Sequence, residues 1–255
     1  MELGQPNRDM NHGCFITATD TGVGKTAITA ALGYHLCERG VAVGVMKPVE
    51  TGVPVEEDAQ SDAARLRAAA GATDPMELIS PYRFPEPLAP LAAARRTGKA
   101  IELDRIVRAF ERLGGRSRPM LVEGIGGLLA PLSETFELAD LIRALKLPAI
   151  VVGRAGLGGI NHALLTVEAL ARRNIPVLAV ALNCPTPAAC SSSDPIAFHQ
   201  VQTTVDLVRE LGGRPVYGPI GHVPRLCEDW INGVAQLSHD PAIKELASLI
   251  LSSGR

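Results

Sequence analysis

Apolar positions along this chain follow two alternating rhythms. Short apolar runs at residues 14–18, 41–49 (interrupted by Gly44), 120–122, 149–152 and 177–182 read as buried strands, with a last strand signal at 216–217 and 219–223. Between them, residues 27–39, 62–70, 103–113, 136–145, 160–173, 199–211 and 241–251 carry apolar side chains at helical spacing. Glycines stop several of these stretches, at Gly40, Gly71, Gly114 and Gly212. Strands alternating with helices predict parallel βαβ units, hence an α/β fold with a mostly parallel sheet covered by helices on both faces. Residues 54–60 and 185–195 read as loops. Residues 73–90 carry five prolines (Pro75, Pro81, Pro85, Pro87 and Pro90) and are expected to form a long loop used in binding or assembly.

The first strand breaks into Thr19-Asp20-Thr21-Gly22-Val23-Gly24-Lys25-Thr26, and a helical stretch follows at once. Strand, glycine-bearing loop and helix form the context of a phosphate-binding loop. Loop N–H groups and the helix start present positive partial charge to a triphosphate. Lys25 can reach the β and γ oxygens, and the Thr26 hydroxyl can hold Mg²⁺. The strict pattern wants glycine five residues before Gly24, where this chain has Thr19, so the loop is a variant.

Other candidates also stand where strands end, which is where open α/β sheets bind ligands. Glu123 follows the run at 120–122 and is either a Mg²⁺-binding acid or a solvated strand-end acid. Lys47 closes the run at 41–49 and is either a snorkelling side chain or a ligand for phosphate or carboxylate. Asp62, in the first turn of a helix, suits the helix dipole. Asn183 can read a base edge or cap the next segment. Gly158-Gly159-Ile160-Asn161 opens a helix, as an anion site or as a structural turn.

Composition narrows the class. At 255 residues with 46% hydrophobic content, one α/β domain over residues 13–255 is expected, behind a mobile polar tail at 1–12. A net charge of −2 gives no general pull toward nucleic acid or anionic membrane. No run reaches the length of a membrane span. The five cysteines show no metal or Cys-x-x-Cys spacing, which suits a reduced cytoplasmic chain with buried thiols.

Taken together, the motifs resemble those of the dethiobiotin synthetases, from the first strand to about residue 225. The matching pieces are Thr19 to Thr26 as written above, Lys47-Pro48-Val49-Glu50-Thr51-Gly52, Ser61-Asp62, Glu86-Pro87-Leu88-Ala89-Pro90, Val122-Glu123-Gly124-Ile125-Gly126-Gly127, Gly158-Gly159-Ile160-Asn161-His162-Ala163 and Asn183. The resemblance implies a P-loop NTPase-like fold and an ATP- and Mg²⁺-dependent ligase that makes dethiobiotin from 7,8-diaminononanoate and CO₂. The route runs through a carbamate and a carbamic-phosphoric anhydride. It implies Mg²⁺ on Thr26, Asp62 and Glu123, and phosphates wrapped by Gly22, Val23, Gly24, Lys25, Thr26 and Ala27. Gly124, Ile125 and Gly126 join the nucleotide site, with Asn183, Cys184, Val223, Pro224 and Arg225 by the base. Lys25 and Lys47 are the catalytic lysines, and Thr21 and Thr51 face the diamine or carbamate. It further implies a homodimer in which Gly158, Gly159, Ile160 and Asn161 hold the substrate carboxylate for the neighbouring subunit. Ala18 departs from the glycine usual in the family; a left-handed backbone there would cost about 1 kcal/mol.

Two other classes share parts of this pattern. A partitioning-type nucleotide switch wants a lysine where Asp20 stands, and an acid there repels phosphate. A cobyrinate-type amidoligase needs a glutaminase domain, for which the chain has little room.

Overall fold

The computed structural model describes residues 11–53, 59–114, 118–184, 187 and 194–253. The expected loop at 54–60 therefore lies largely outside the described residues, as do most of 185–195 and the first ten residues of the expected tail. Asn11 and His12, counted with that tail, are held: the Asn11 side chain donates to Leu145 O at 2.8 Å, and Met120 N donates to His12 O at 3.0 Å.

The strands are β1 (Gly13–Ala18), β2 (Gly44–Met46), β3 (Val49–Thr51), β4 (Tyr82–Phe84), β5 (Met120–Glu123), β6 (Ala149–Arg154), β7 (Val177–Asn183) and β8 (Val216–Ile220). The helices are α1 (Lys25–Glu38), α2 (Asp62–Ala69), α3 (Met76–Ile79), α4 (Pro90–Thr97), α5 (Leu103–Arg112), α6 (Leu138–Leu145), α7 (Gly159–Arg172), α8 (Pro195–Leu211), α9 (Arg225–Glu228), α10 (Trp230–Ser238) and α11 (Pro241–Ser252). Six strands form one sheet in the order β2-β5-β1-β6-β7-β8, and every pairing in it is parallel. All residues of β1 and β5 are buried, as a parallel sheet covered on both faces requires. Because the strands run the same way, Lys47, Glu123, the loop after β1, Arg154 and Asn183 all emerge along one edge of the sheet.

The stretch at 73–90 is not the long loop expected. It holds α3 and β4, and it delivers Pro90 as the first residue of α4. β4 pairs with β3 in a separate two-stranded sheet that carries Glu50 and Thr51. Three prolines mark element boundaries: Pro75 caps α3, Pro81 precedes β4, and Pro90 occupies a helix start where its missing N–H costs nothing. α8 begins earlier than expected, because the Asp194 side chain accepts from Ile196 N and Ala197 N and Pro195 opens the helix. Ala18 ends β1, paired with Val152, and the only non-glycine residues with positive φ among those described are Lys146 and Asn174. The departure at Ala18 therefore carries no backbone strain. Cys14 is a buried thiol, but Cys37 and Cys227 are exposed and Cys184 is disulfide-bonded, so the expectation of buried thiols fails at these three.

Candidate active site

The loop after β1 ends at Gly24, whose φ of 99° is left-handed and caps α1 without any side-chain partner. A side chain there would also overlap the Asn183 amide, which packs against the loop and donates from Nδ2 to Val23 O at 3.0 Å. Glycine is therefore required twice at this position. With no side-chain cap, the first N–H groups of α1 stay available to an anion. Lys25 is 8% exposed and folds back over the loop, donating to Asp20 O at 3.2 Å and Gly126 O at 3.0 Å. Its pKa is pushed down to about 8, first by burial and then by the charge of Lys47, against the pull of Glu123, Asp62 and Asp20.

Beside it lies a second cluster. Lys47, 3% exposed, donates to Glu123 Oε1 at 2.5 Å and Gly124 O at 3.1 Å, and pairs with Asp62 Oδ2 at 3.1 Å. Snorkelling is excluded, since the ammonium itself is enclosed. Burial works against its charge, but the Glu123 and Asp62 carboxylates outweigh that and raise its pKa, so Lys47 stays protonated. Glu123 is fully buried, not a solvated strand end; its Oε1 also accepts from Thr26 Oγ1 at 2.9 Å. Its other oxygen, Oε2, is buried with no hydrogen-bond partner among the described residues. An unpartnered buried carboxylate oxygen beside a threonine hydroxyl and a second carboxylate is a donor set that suits Mg²⁺. Asp62 does more than serve the helix dipole, because it faces this cluster.

Glu50 was in the sequence motif without a role. Buried at 4% exposure, its carboxylate accepts from the backbone N–H groups of Asp62 and Ala63 and so caps α2 from outside the helix. Burial, then the charge of Asp62, raises its pKa, opposed by Lys47 and these N–H groups. Glu50 ties β3 to the helix start that carries Asp62.

Thr21, Gly22, Gly24, Lys25, Thr26, Ala27, Lys47, Thr51, Asp62, Glu123, Ile125 and Gly126 line one cleft of about 370 Å³, together with Glu50, Arg65 and Trp230. Sequence reasoning gave no role to these last three. The structure does not bring every candidate into this cleft. Val23 is buried beneath the loop, and Gly124 serves through its carbonyl, which accepts from Lys47. Asn183, Cys184, Val223, Pro224 and Arg225 lie at the ends of β7 and β8, outside the cleft wall. Gly158, Gly159, Ile160 and Asn161 open α7 elsewhere. Gly158 and Ile160 border a separate hollow of about 610 Å³ with Leu157, Pro195, Ile196 and His199.

A family model, the AAA domain, matches residues 12–228. The chain is 49% identical over 175 residues to the ATP-dependent dethiobiotin synthetase BioD of Anaeromyxobacter dehalogenans strain 2CP-C, covering 69% of this chain and 78% of the relative. It is 37% identical over 249 residues to the enzyme of the same name from Thermodesulfovibrio yellowstonii, covering 94% and 100%. Among solved structures, the MinC:MinD cell division protein complex of Aquifex aeolicus superposes with a TM-score of 0.57 at 14% identity, covering 94% of each chain. At that identity the likeness shows a shared P-loop α/β fold alone.

Proposed function

The chain belongs to the ATP-dependent dethiobiotin synthetases, and we propose that the cleft around Lys25 and Lys47 performs their ligase reaction on 7,8-diaminononanoate, CO₂ and ATP. One amine of the diamine adds to CO₂ and loses a proton, giving a carbamate. A carbamate oxygen attacks the γ-phosphorus, and ADP leaves. The second amine attacks the carbonyl carbon of the mixed anhydride, phosphate leaves, and the urea ring closes.

The observation that carries this reading is the enclosed Lys47 ammonium, held between Glu123 and Asp62 beside the phosphate loop. An anionic carbamate must approach a polyanion, so the site has to concentrate positive charge where oxyanions meet. Lys47 is a compact cation preset for that point, and Lys25 with the first turn of α1 serves the β- and γ-phosphates. Gly22, Val23, Gly24, Thr26 and Ala27 complete the phosphate cradle. Gly124, Ile125 and Gly126 flank it on the β5 side. Thr21 and Thr51, both on the cleft lining, face the diamine or carbamate. Thr26, Glu123 and Asp62 would hold Mg²⁺, which when bound offsets charge on the phosphates. Asn183, Cys184, Val223, Pro224 and Arg225 sit at neighbouring strand ends on the base side.

The remainder of the reading concerns assembly and setting. Residues 13–255 form one domain that works as a homodimer, the α7 start at Gly158 to Asn161 holding the substrate carboxylate for the other subunit. Its setting is cytoplasmic; no described helix is long and apolar enough to cross a membrane. A nucleotide switch remains the competing class, since the fold is shared with MinD, but Asp20 and the charge of −2 favour the ligase. The test is phosphate release from Mg²⁺ and ATP with bicarbonate. Release that needs the diamine and matches dethiobiotin formed supports the ligase; release stimulated by DNA or lipid vesicles and indifferent to diamine refutes it.

A further inference from the structure

Arg65 stands on the cleft wall three residues after Asp62, so both project from the same side of α2. Its guanidinium lies 4.6 Å over the ring of Trp230, the first residue of α10. That distance is within cation–π range. Other arginines find carboxylates: Arg95 pairs with Glu134, Arg96 with Glu86, Arg118 with Asp74 and Arg173 with Glu137. The Arg65 guanidinium makes no hydrogen bond or ion pair among the described residues. The acids of the cleft are already engaged, Glu50 by the N–H groups of α2, and Asp62 and Glu123 by Lys47. A half-buried guanidinium stacked by one face keeps its in-plane N–H donors free, and those donors match an oxyanion. The Trp230 indole N–H on the same wall is also buried without an acceptor among the described residues.

Resting on the ligase reading above, we propose that Arg65 is a nucleotide-binding residue: its guanidinium, shelved on Trp230, donates to a phosphate oxyanion of the bound nucleotide. The placement of Trp230 favours the nucleotide over the diamine. Trp230 follows the segment Val223 to Arg225 at the end of β8, and α10 packs on α1, the helix whose first turn faces the phosphates. The nucleotide therefore lies between Lys25 on one wall and Arg65 on the other. Trp230 fixes the plane of the fork before ligand arrives, which limits the side-chain entropy lost on binding.

Trp230 is the sole tryptophan, so its emission reports on this wall alone. The experiment titrates ADP with Mg²⁺ into the full-length wild type, Arg65→Ala and Arg65→Gln, followed by tryptophan emission and by calorimetry. KM values for ATP and for the diamine are measured alongside. Nucleotide should change Trp230 emission in the wild type. In both variants the Kd for ADP should rise by about tenfold or more, the loss expected for a charge-assisted contact, while the diamine KM stays within about twofold. Trp230→Phe keeps a ring under the guanidinium and should retain most of the affinity, whereas Trp230→Leu should not. Gln keeps the stem packed on the indole should Ala disturb the fold. An ADP Kd within twofold of wild type in a folded variant overturns the proposal, and if the diamine KM rises instead, Arg65 belongs to the substrate carboxylate. A wild type that binds no nucleotide overturns the ligase reading and this proposal with it.

Discussion

α1 and α7 start alike and stand in different company. Each has 14 residues, follows one of two adjacent central strands, and is capped by a left-handed glycine with no side-chain partner, Gly24 at φ 99° and Gly158 at φ 82°. In both, the backbone offers the same free N–H groups to an anion. Around Gly24 stand two buried lysines, a fully buried glutamate and a threonine hydroxyl. Around Gly158 stand Leu157, Ile160, Pro195 and Ile196, with His199 and, among the described lining residues, no lysine or acid. The backbone can give each start affinity for an anion; side chains decide whether chemistry happens there. A polyphosphate that must be attacked suits the first, and a carboxylate that need only be held suits the second.

The largest effect should come from stripping charge at the first start. Lys25→Ala should lower kcat by on the order of 10³ or more with the fold retained, measured as dethiobiotin formed per enzyme. A variant making product at the wild-type rate would remove the phosphate loop from the chemistry. Lys47→Met is next, with kcat down by on the order of 10². It should also lower the thermal midpoint, because a buried Glu123 is left beside Asp62 without its cation, a loss of about 3 kcal/mol or more in the absence of Mg²⁺. Lys47→Arg should rescue poorly, since a planar fork does not replace a compact ammonium. Near-normal kcat in the Met variant would reduce Lys47 to a structural counter-ion.

At the second start the effect should fall on binding. Asn161→Ala should raise the diamine KM with a smaller change in kcat. If α7 serves the neighbouring subunit, mixing that chain with Lys25→Ala chains regenerates one intact site per hybrid dimer. Equal mixing with subunit exchange should then recover roughly a quarter of wild-type activity. No recovery in a preparation shown to exchange subunits would assign both starts to one chain. The smallest effect concerns Glu50. Glu50→Ala removes an external cap from α2 and should cost about 1 kcal/mol of stability, with kcat down a few-fold through a loosened Asp62. Glu50→Gln keeps one acceptor and should restore most of it; equal losses in both variants would argue against a capping role.

The first start was far more legible in the sequence than its surroundings. Gly24, Lys25 and Thr26 lie in one stretch between an apolar run and a helical stretch, so local pattern alone placed them. Lys47 and Glu123 were legible as strand ends, but not their contact, because the adjacency of β2 and β5 is a property of strand order. Arg65 and Trp230 left no signal, since they lie far apart in the chain and meet only where α10 packs on α2. The elements within 73–90 were missed because α3 and β4 are too short to show a period and their prolines read as loop. The capping role of Glu50 was hidden for a related reason: it depends on β3 leaving the main sheet to pair with β4.

The most direct test is a crystal structure of the full-length protein with ADP, Mg²⁺ and 7,8-diaminononanoate. Phosphates should lie on Gly22 to Ala27 between Lys25 and Arg65, the diamine nitrogens should face Lys47 and Thr51, and the substrate carboxylate should meet Gly158 to Asn161 of the partner subunit. A carboxylate seated in the cleft of the same chain, with the α7 start left empty, would contradict the division of labour between the two helix starts.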